Sequence, residues 1–177
     1  MLRLLLASAL VTFGSGLAAA AEIGSNGFLV RIERIVTAPP ARVYDALIGQ
    51  VGSWWNPQHT YSGDSKNLSI DPRPGGCFCE RLPNGGVEHM RVVLLKTNEM
   101  VRLAGGLGPL QASGLSGSMT WRLSPTEKGT KLELTYSVGG FIASGFDSIA
   151  PAVERVVTEQ ADRLTHFVET GTPSDAK

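Results

Sequence analysis

Cys77-Phe-Cys-Glu-Arg-Leu-Pro-Asn-Gly-Gly-Val-Glu-His-Met-Arg-Val-Val-Leu-Leu95 holds two runs of β-forming residues on either side of a strong turn signal. Asn84-Gly85 can supply the positive φ angles of a two-residue hairpin, so the runs are expected to pair as antiparallel strands. Centring the turn there sets Pro83 opposite Gly86, Glu80 opposite His89, Cys79 opposite Met90 and Cys77 opposite Val92. Side chains alternate along a strand. One face would then carry Cys77, Cys79, Met90, Val92 and Leu94, and the other Phe78, Glu80, His89 and Arg91. The first set is expected to face inward. A slip of one residue would instead carry the Glu80 and His89 pair into the interior.

The pattern extends in both directions. Segments 68–71, 77–82, 87–95, 100–104, 115–123 and 130–138 read as consecutive strands separated by turn residues, an antiparallel meander. Leu115, Met119, Trp121 and Leu123 share one face of their strand, and Leu132, Leu134, Tyr136 and Val138 share one face of the next. A sheet with one apolar side needs a cover. Ile149, Val153, Val156, Val157, Gln160, Leu164, Phe167 and Val168 recur at helical spacing, with Pro151 in the first turn and Gly171 and Pro173 beyond the end. Upstream, 28–36 alternates as a strand. Pro39-Pro40 opens a short helix with a stripe of Val43, Tyr44, Leu47 and Ile48, and a second helical turn at 51–55 precedes a polar loop at 56–65.

The 177 residues suit one domain plus a processing segment, and 42% hydrophobic with 18% charged residues is an ordinary globular composition. Sixteen basic residues balance sixteen acidic ones, which gives no electrostatic reason to bind nucleic acid. Residues 1–21 read as a cleaved signal peptide: a positive start through Arg3, an apolar stretch from Leu4 to Phe13, then small residues. Ala19 and Ala21 meet a signal peptidase's need for cleavage before Glu22, and Ala18 with Ala20 would place the cut one residue earlier. The apolar stretch is shorter than the ~20 residues that cross a bilayer. A periplasmic or secreted protein of residues 22–177, with a core at 28–169, a tail at 172–177 and no stable membrane anchor, is therefore expected.

Chemistry-bearing residues are few. Cys77 and Cys79 on one strand face would have Cα atoms about 7 Å apart, at the limit for a bridge, so free thiols are expected. Neither a metal site nor a cofactor is expected. The usual third and fourth ligands are missing from the cysteines' face, and Gly105-Gly-Leu-Gly108 has no phosphate-binding lysine and reads as a flexible loop. No serine-nucleophile signature is present. Glu80 and His89 are expected as an exposed cross-strand pair. His59 lies in an aromatic-rich loop where it could border a cavity mouth, and His166 follows Asp162 by one helical turn. No catalytic residue is assigned.

Ala38-Pro-Pro-Ala-Arg-Val-Tyr-Asp-Ala-Leu47, Trp54-Trp55, Asp71-Pro-Arg-Pro-Gly-Gly76 and Thr130-Lys-Leu-Glu-Leu-Thr135, in that order, resemble the SRPBCC or START-like superfamily over about 28–169. The match is similar above all to its branch of heat-shock-ATPase-activator-like and polyketide-cyclase-like proteins. The resemblance implies an α+β helix-grip fold: a curved seven-stranded antiparallel sheet around a long C-terminal helix, with two short helices after the first strand. It also implies a cavity for an apolar, lipid-like small molecule. Joined to the faces above, it nominates Trp54, Trp55, Tyr61, Cys77, Cys79, Met90, Val92, Met119, Trp121, Tyr136 and Phe141 as cavity or rim residues. An exported carrier is the first expectation. A cyclase-, dehydrase- or hydrolase-like enzyme using residues such as His59, Tyr61 or Tyr136, and a chaperone-like module with an unknown protein partner, are the alternatives. The metal motif of oxygenase relatives is missing, since no Cys-x-His pair occurs.

Overall fold

A computed structural model describes residues 20–173. The expected signal peptide thus lies outside the described residues apart from Ala20 and Ala21, as does 174–177 of the tail. The elements in order are β1 (Glu22–Gly24), β2 (Gly27–Val36), α1 (Pro40–Gly49), α2 (Val51–Trp54), β3 (Leu68–Ile70), β4 (Cys77–Leu82), β5 (Gly85–Lys96), β6 (Met100–Gly105), α3 (Pro109–Ala112), β7 (Ser116–Thr126), β8 (Gly129–Gly139) and α4 (Ile149–Thr170). The strands form one antiparallel sheet in the order β1-β2-β8-β7-β6-β5-β4-β3. This is the helix-grip plan with eight strands where seven were expected. The addition is β1, whose Ile23 pairs with Phe28; three residues are too few to show alternation. The loop expected at Gly105 to Gly108 leads into a single helical turn, α3, with Pro109 at its start.

Helix α4 covers the apolar side of the sheet and buries Val157, Ala161, Leu164, Phe167 and Val168 in a core shared with Val30, Leu132, Leu134, Trp54 and Trp121. Gly171, left-handed at φ 85°, ends the helix by donating its N–H to the Phe167 carbonyl at 2.8 Å. Two polar side chains interrupt the buried stripe, and each is satisfied by the segment it fixes. Gln160 Oε1 accepts the Asn56 N–H at 2.8 Å, and Arg163 Nε donates to the Trp54 carbonyl at 2.8 Å. Burying such groups is tolerable because they are hydrogen-bonded. The result is that the chain after α2 is held rigidly against α4.

Hairpin β4–β5 departs from the expected register. Leu82 pairs with Gly85 and Arg81 with Gly86, so Pro83 and Asn84 form the centre of the turn. Proline's fixed φ suits the first central position of a common turn, and neither Asn84 nor Gly85 adopts a positive φ. Beside the turn the pairing is therefore displaced by two residues, with Glu80 opposite Val87 in place of His89, and such a displacement by itself keeps the same faces together. Phe78 and Glu80 are buried, while Cys77 and Cys79, expected inward, alternate onto the other face. On β5, Met90 and Val92 remain buried as expected, and it is a one-residue β-bulge that sets them on the same face as Phe78 in place of Cys77 and Cys79. Phe78 pairs with Met90 but Cys79 with Glu88, which leaves His89 as the extra residue. A bulge re-aims the side chain it carries, and here His89 and Met90 are both buried.

The same irregularity explains the cysteines. Their Cα atoms are 5.3 Å apart and the sulfurs are joined, where free thiols were expected. An extended strand would hold the two Cα atoms about 7 Å apart, beyond the usual disulfide range. Over Cys77 to Cys79 β4 is therefore less than fully extended, at the place where the register shifts between Phe78 and Cys79.

Candidate functional site: an apolar cleft with a buried Glu80–His89 pair

Segments far apart in sequence meet beside the bulge. The chain after α2 contributes Trp55, Gln58, His59, Thr60 and Tyr61; β5 contributes His89; the link from β6 to α3 contributes Leu107 and Pro109; and the first half of α4 contributes Ile149, Val153, Val156 and Val157. They enclose a cleft of about 390 Å³, within the range of small-molecule sites. The α4 wall is aliphatic and the opposite wall aromatic and polar. Each wall is anchored. Trp55 Nε1 donates to the His59 carbonyl at 3.2 Å, and His59 Nε2 lies 3.0 Å from Glu159 Oε2 on α4. Glu159 Oε1 also accepts from Asn56 Nδ2. Tyr136, in the core below, accepts the Leu107 N–H at 3.0 Å and donates to the Gly105 carbonyl at 3.1 Å. Burial pushes its phenol up to about 12, so this hydroxyl is a fixed strut for the β6–α3 link.

The deepest polar feature is the pair that the bulge brings inside. Glu80 is 1% exposed and His89 4%. His89 Nε2 donates to Glu80 Oε2 at 2.9 Å, and the same carboxylate accepts the N–H groups of Tyr61, at 3.0 Å, and Ser62. Burial alone would raise the Glu80 pKa; the hydrogen bonds from Ser62, Tyr61 and His89 outweigh it and hold the carboxyl below its ordinary value. For His89, burial lowers the pKa and the Glu80 hydrogen bond and charge only partly oppose it. The pair is thus an anionic carboxylate and a neutral imidazole. With Nε2 as the donor, Nδ1 is left as a bare acceptor, and that atom is buried without a hydrogen-bond partner among the described residues. Phe78 flanks the imidazole at 5.2 Å between ring centres, and Tyr61 stacks on it at 5.9 Å. Such an imidazole can accept a hydrogen bond or a proton from whatever occupies the cleft.

Residues 28–169 match the sequence profile of a family described as polyketide cyclase / dehydrase and lipid transport. The chain belongs to this polyketide cyclase/dehydrase family. Solved structures agree on the fold. A conserved protein of unknown function from Enterococcus faecalis is 15% identical, with 89% of this chain and 82% of that one covered and a TM-score of 0.63. The Aha1 dimer from Colwellia psychrerythraea is 19% identical over 81% of this chain and 97% of that one, with a TM-score of 0.59. DynU16, from the dynemicin biosynthetic locus, is 18% identical over 84% of this chain and 49% of that one, with a TM-score of 0.60. No curated protein matches the chain.

Membership of the cyclase/dehydrase family agrees with the resemblance seen in the sequence and points to a hydrophobic ligand-binding cavity. The nominated residues divide into groups. Trp55 and Tyr61 line the cleft. Trp54, Met90, Val92, Met119, Trp121 and Tyr136 are buried core side chains that do not border it, with Trp54 and Trp121 edge-on at 6.3 Å. Cys77 and Cys79 are on the far face of β4, and Phe141 is 84% exposed in the link before α4. His59, considered for a cavity mouth, is at the rim. His89 and the α4 residues of the cleft were not nominated. Pro83, which fits the centre of a turn better than a paired strand end, was a clue to the turn, whereas the bulge that buries His89 left no signal in the alternation. Among the described residues, no three His, Cys, Asp or Glu side chains converge in a way that could hold a metal ion.

Proposed function

We propose that the chain is an exported carrier that holds an apolar small molecule in the cleft between α4 and the segment from Trp55 to Tyr61. The observation that carries this is the composition of the cleft: an aliphatic wall of Ile149, Val153, Val156 and Val157 facing Trp55 and Tyr61 across about 390 Å³. Apolar surface of that kind is held open by the Gln160, Arg163 and Glu159 hydrogen bonds to the opposite wall, and filling it removes more apolar area from water. The lipid-transport part of the family description and the signal-peptide character of the first 21 residues support the carrier and export parts. Native mass spectrometry of protein purified from its own host tests this: an apolar adduct is expected, and it should be lost from Val153→Arg, which places a charge on the wall. Protein that is uniformly bare, or an adduct equally abundant in Val153→Arg, contradicts it.

A second reading, a cyclase- or dehydrase-type enzyme, is favoured by one observation. His89, backed by Glu80, lines the same cleft with a neutral imidazole suited to proton transfer. The co-purified molecule discriminates. Recovery unchanged after incubation with fresh protein supports the carrier, and conversion that stops in His89→Phe supports the enzyme.

A further inference from the structure

Three observations at His89 concern the chemistry of the ligand and not merely its apolarity. The imidazole lines the cleft. Its Nε2 is committed to Glu80, whose carboxylate is itself fixed by the Tyr61 and Ser62 amides. Its Nδ1 is buried and has no hydrogen-bond partner among the described residues. A buried acceptor left unpaired is costly, and native proteins rarely tolerate one without a reason. The remaining neighbours of the ring do not supply a donor: Phe78 is a hydrocarbon, and Tyr61 stacks on the ring face. Tyr61 is also 55% exposed and lines the cleft beside the ring, and because it covers only the ring's face it leaves the in-plane Nδ1 acceptor without a partner.

We infer that the cleft selects an apolar molecule bearing a hydroxyl donor, and that His89 Nδ1 is the atom that accepts its hydrogen bond. The inference rests on the cleft being the ligand site, as proposed above, and adds the chemical class of the ligand. Glu80 is a positioning residue: it never meets the ligand, but its carboxylate holds the proton on Nε2 and so keeps Nδ1 free. Loss of that carboxylate frees the imidazole to change tautomer, and Nδ1 can then carry the proton and become a donor in place of an acceptor. A ligand lacking the hydroxyl can fill the same space but leaves Nδ1 unpaired.

The test is a matched pair of probes, 2-naphthol and 2-methoxynaphthalene, titrated by fluorescence against the purified protein, His89→Phe and Glu80→Gln. Both probes are expected to bind the unaltered protein, the naphthol about tenfold more tightly, in line with the cost of an unpaired buried acceptor. In His89→Phe the two affinities should converge while the methoxy probe still binds, which also shows that the cleft is intact. In Glu80→Gln the preference should shrink. Equal affinities in the unaltered protein overturn the hydroxyl inference and leave the cleft standing. A naphthol preference that survives in His89→Phe assigns the hydroxyl to another group and overturns the role of Nδ1. Binding of neither probe to the unaltered protein removes the cleft as an apolar ring site and takes this inference with it. Because the unaltered protein decides the first point by itself, a variant that fails to fold leaves the inference falsifiable.

Discussion

At the scale of single residues, Glu80 is the most consequential side chain outside the apolar core. Glu80→Ala removes the acceptor for the Tyr61 and Ser62 amides and for His89 Nε2 at once. Leaving buried donors unpaired predicts a loss of about 3 kcal/mol in urea denaturation. Glu88→Ala, one residue from His89 but exposed, should cost under about 0.5 kcal/mol. Equal costs would contradict the register described here. The pair also predicts acid sensitivity. The folded pKa of His89 lies below the ordinary 6.5, so on acidification the unfolded chain takes up its proton first. The stability contributed by neutral His89 is present above 6.5 and falls as the pH drops toward the folded pKa. Glu80, with a folded pKa below 4.5, adds a second loss as the pH falls from there through its folded pKa. Melting temperature should decline from about pH 7 to 5.5, a slope that His89→Phe abolishes; an unaltered protein with a flat profile over that range contradicts the buried neutral imidazole.

At the scale of elements, each strand of the meander and the long helix could be read from the sequence because each carries its own periodicity. Leu132, Leu134, Tyr136 and Val138 alternate without interruption on β8, and their burial follows. The β4–β5 hairpin was legible as a hairpin but not in register. Asn84-Gly85 is a strong signal for one turn, and Pro83-Asn84 competes with it one residue earlier; moving the turn shifts the pairing by two residues and keeps the faces, and the one-residue bulge at His89 is what reverses every side chain on β4 relative to Met90 and Val92. A bulge has no signature in alternation at all, so His89 stayed hidden among residues that looked exposed. The cleft was equally out of reach, since Tyr61, His89, Leu107 and Val153 belong to four segments whose meeting depends on that register. The bulge in turn depends on Gly105, where φ is 147° and a Cβ would come 3.0 Å from the His89 carbonyl. Gly105→Ala should destabilise the protein by about 2 kcal/mol in urea denaturation and weaken ligand binding. Unchanged stability would show that β6 does not press on the bulge. On the other side of β4, non-reducing digestion should yield a peptide holding Cys77 and Cys79 that is two hydrogens lighter than the dithiol.

At the scale of the molecule, β1 begins at Glu22, the residue that would open a mature chain after cleavage, and N-terminal sequencing of the secreted or periplasmic protein is expected to read from Ala21 or Glu22. Recovery of an intact Met1 would contradict export. A ligand held between α4 and the Trp55 to Tyr61 segment would sit beside two of the three histidines, which makes them natural reporters of it. His59 and His89 line the cleft, whereas His166 is on the last turns of α4, bonded to Thr170 and Thr172. The direct measurement is NMR of histidine-labelled protein titrated with 2-methoxynaphthalene. The His59 and His89 ring signals are expected to shift together while His166 stays still; shifts confined to His166, or saturating binding that moves none of the three, would contradict a ligand site in the cleft.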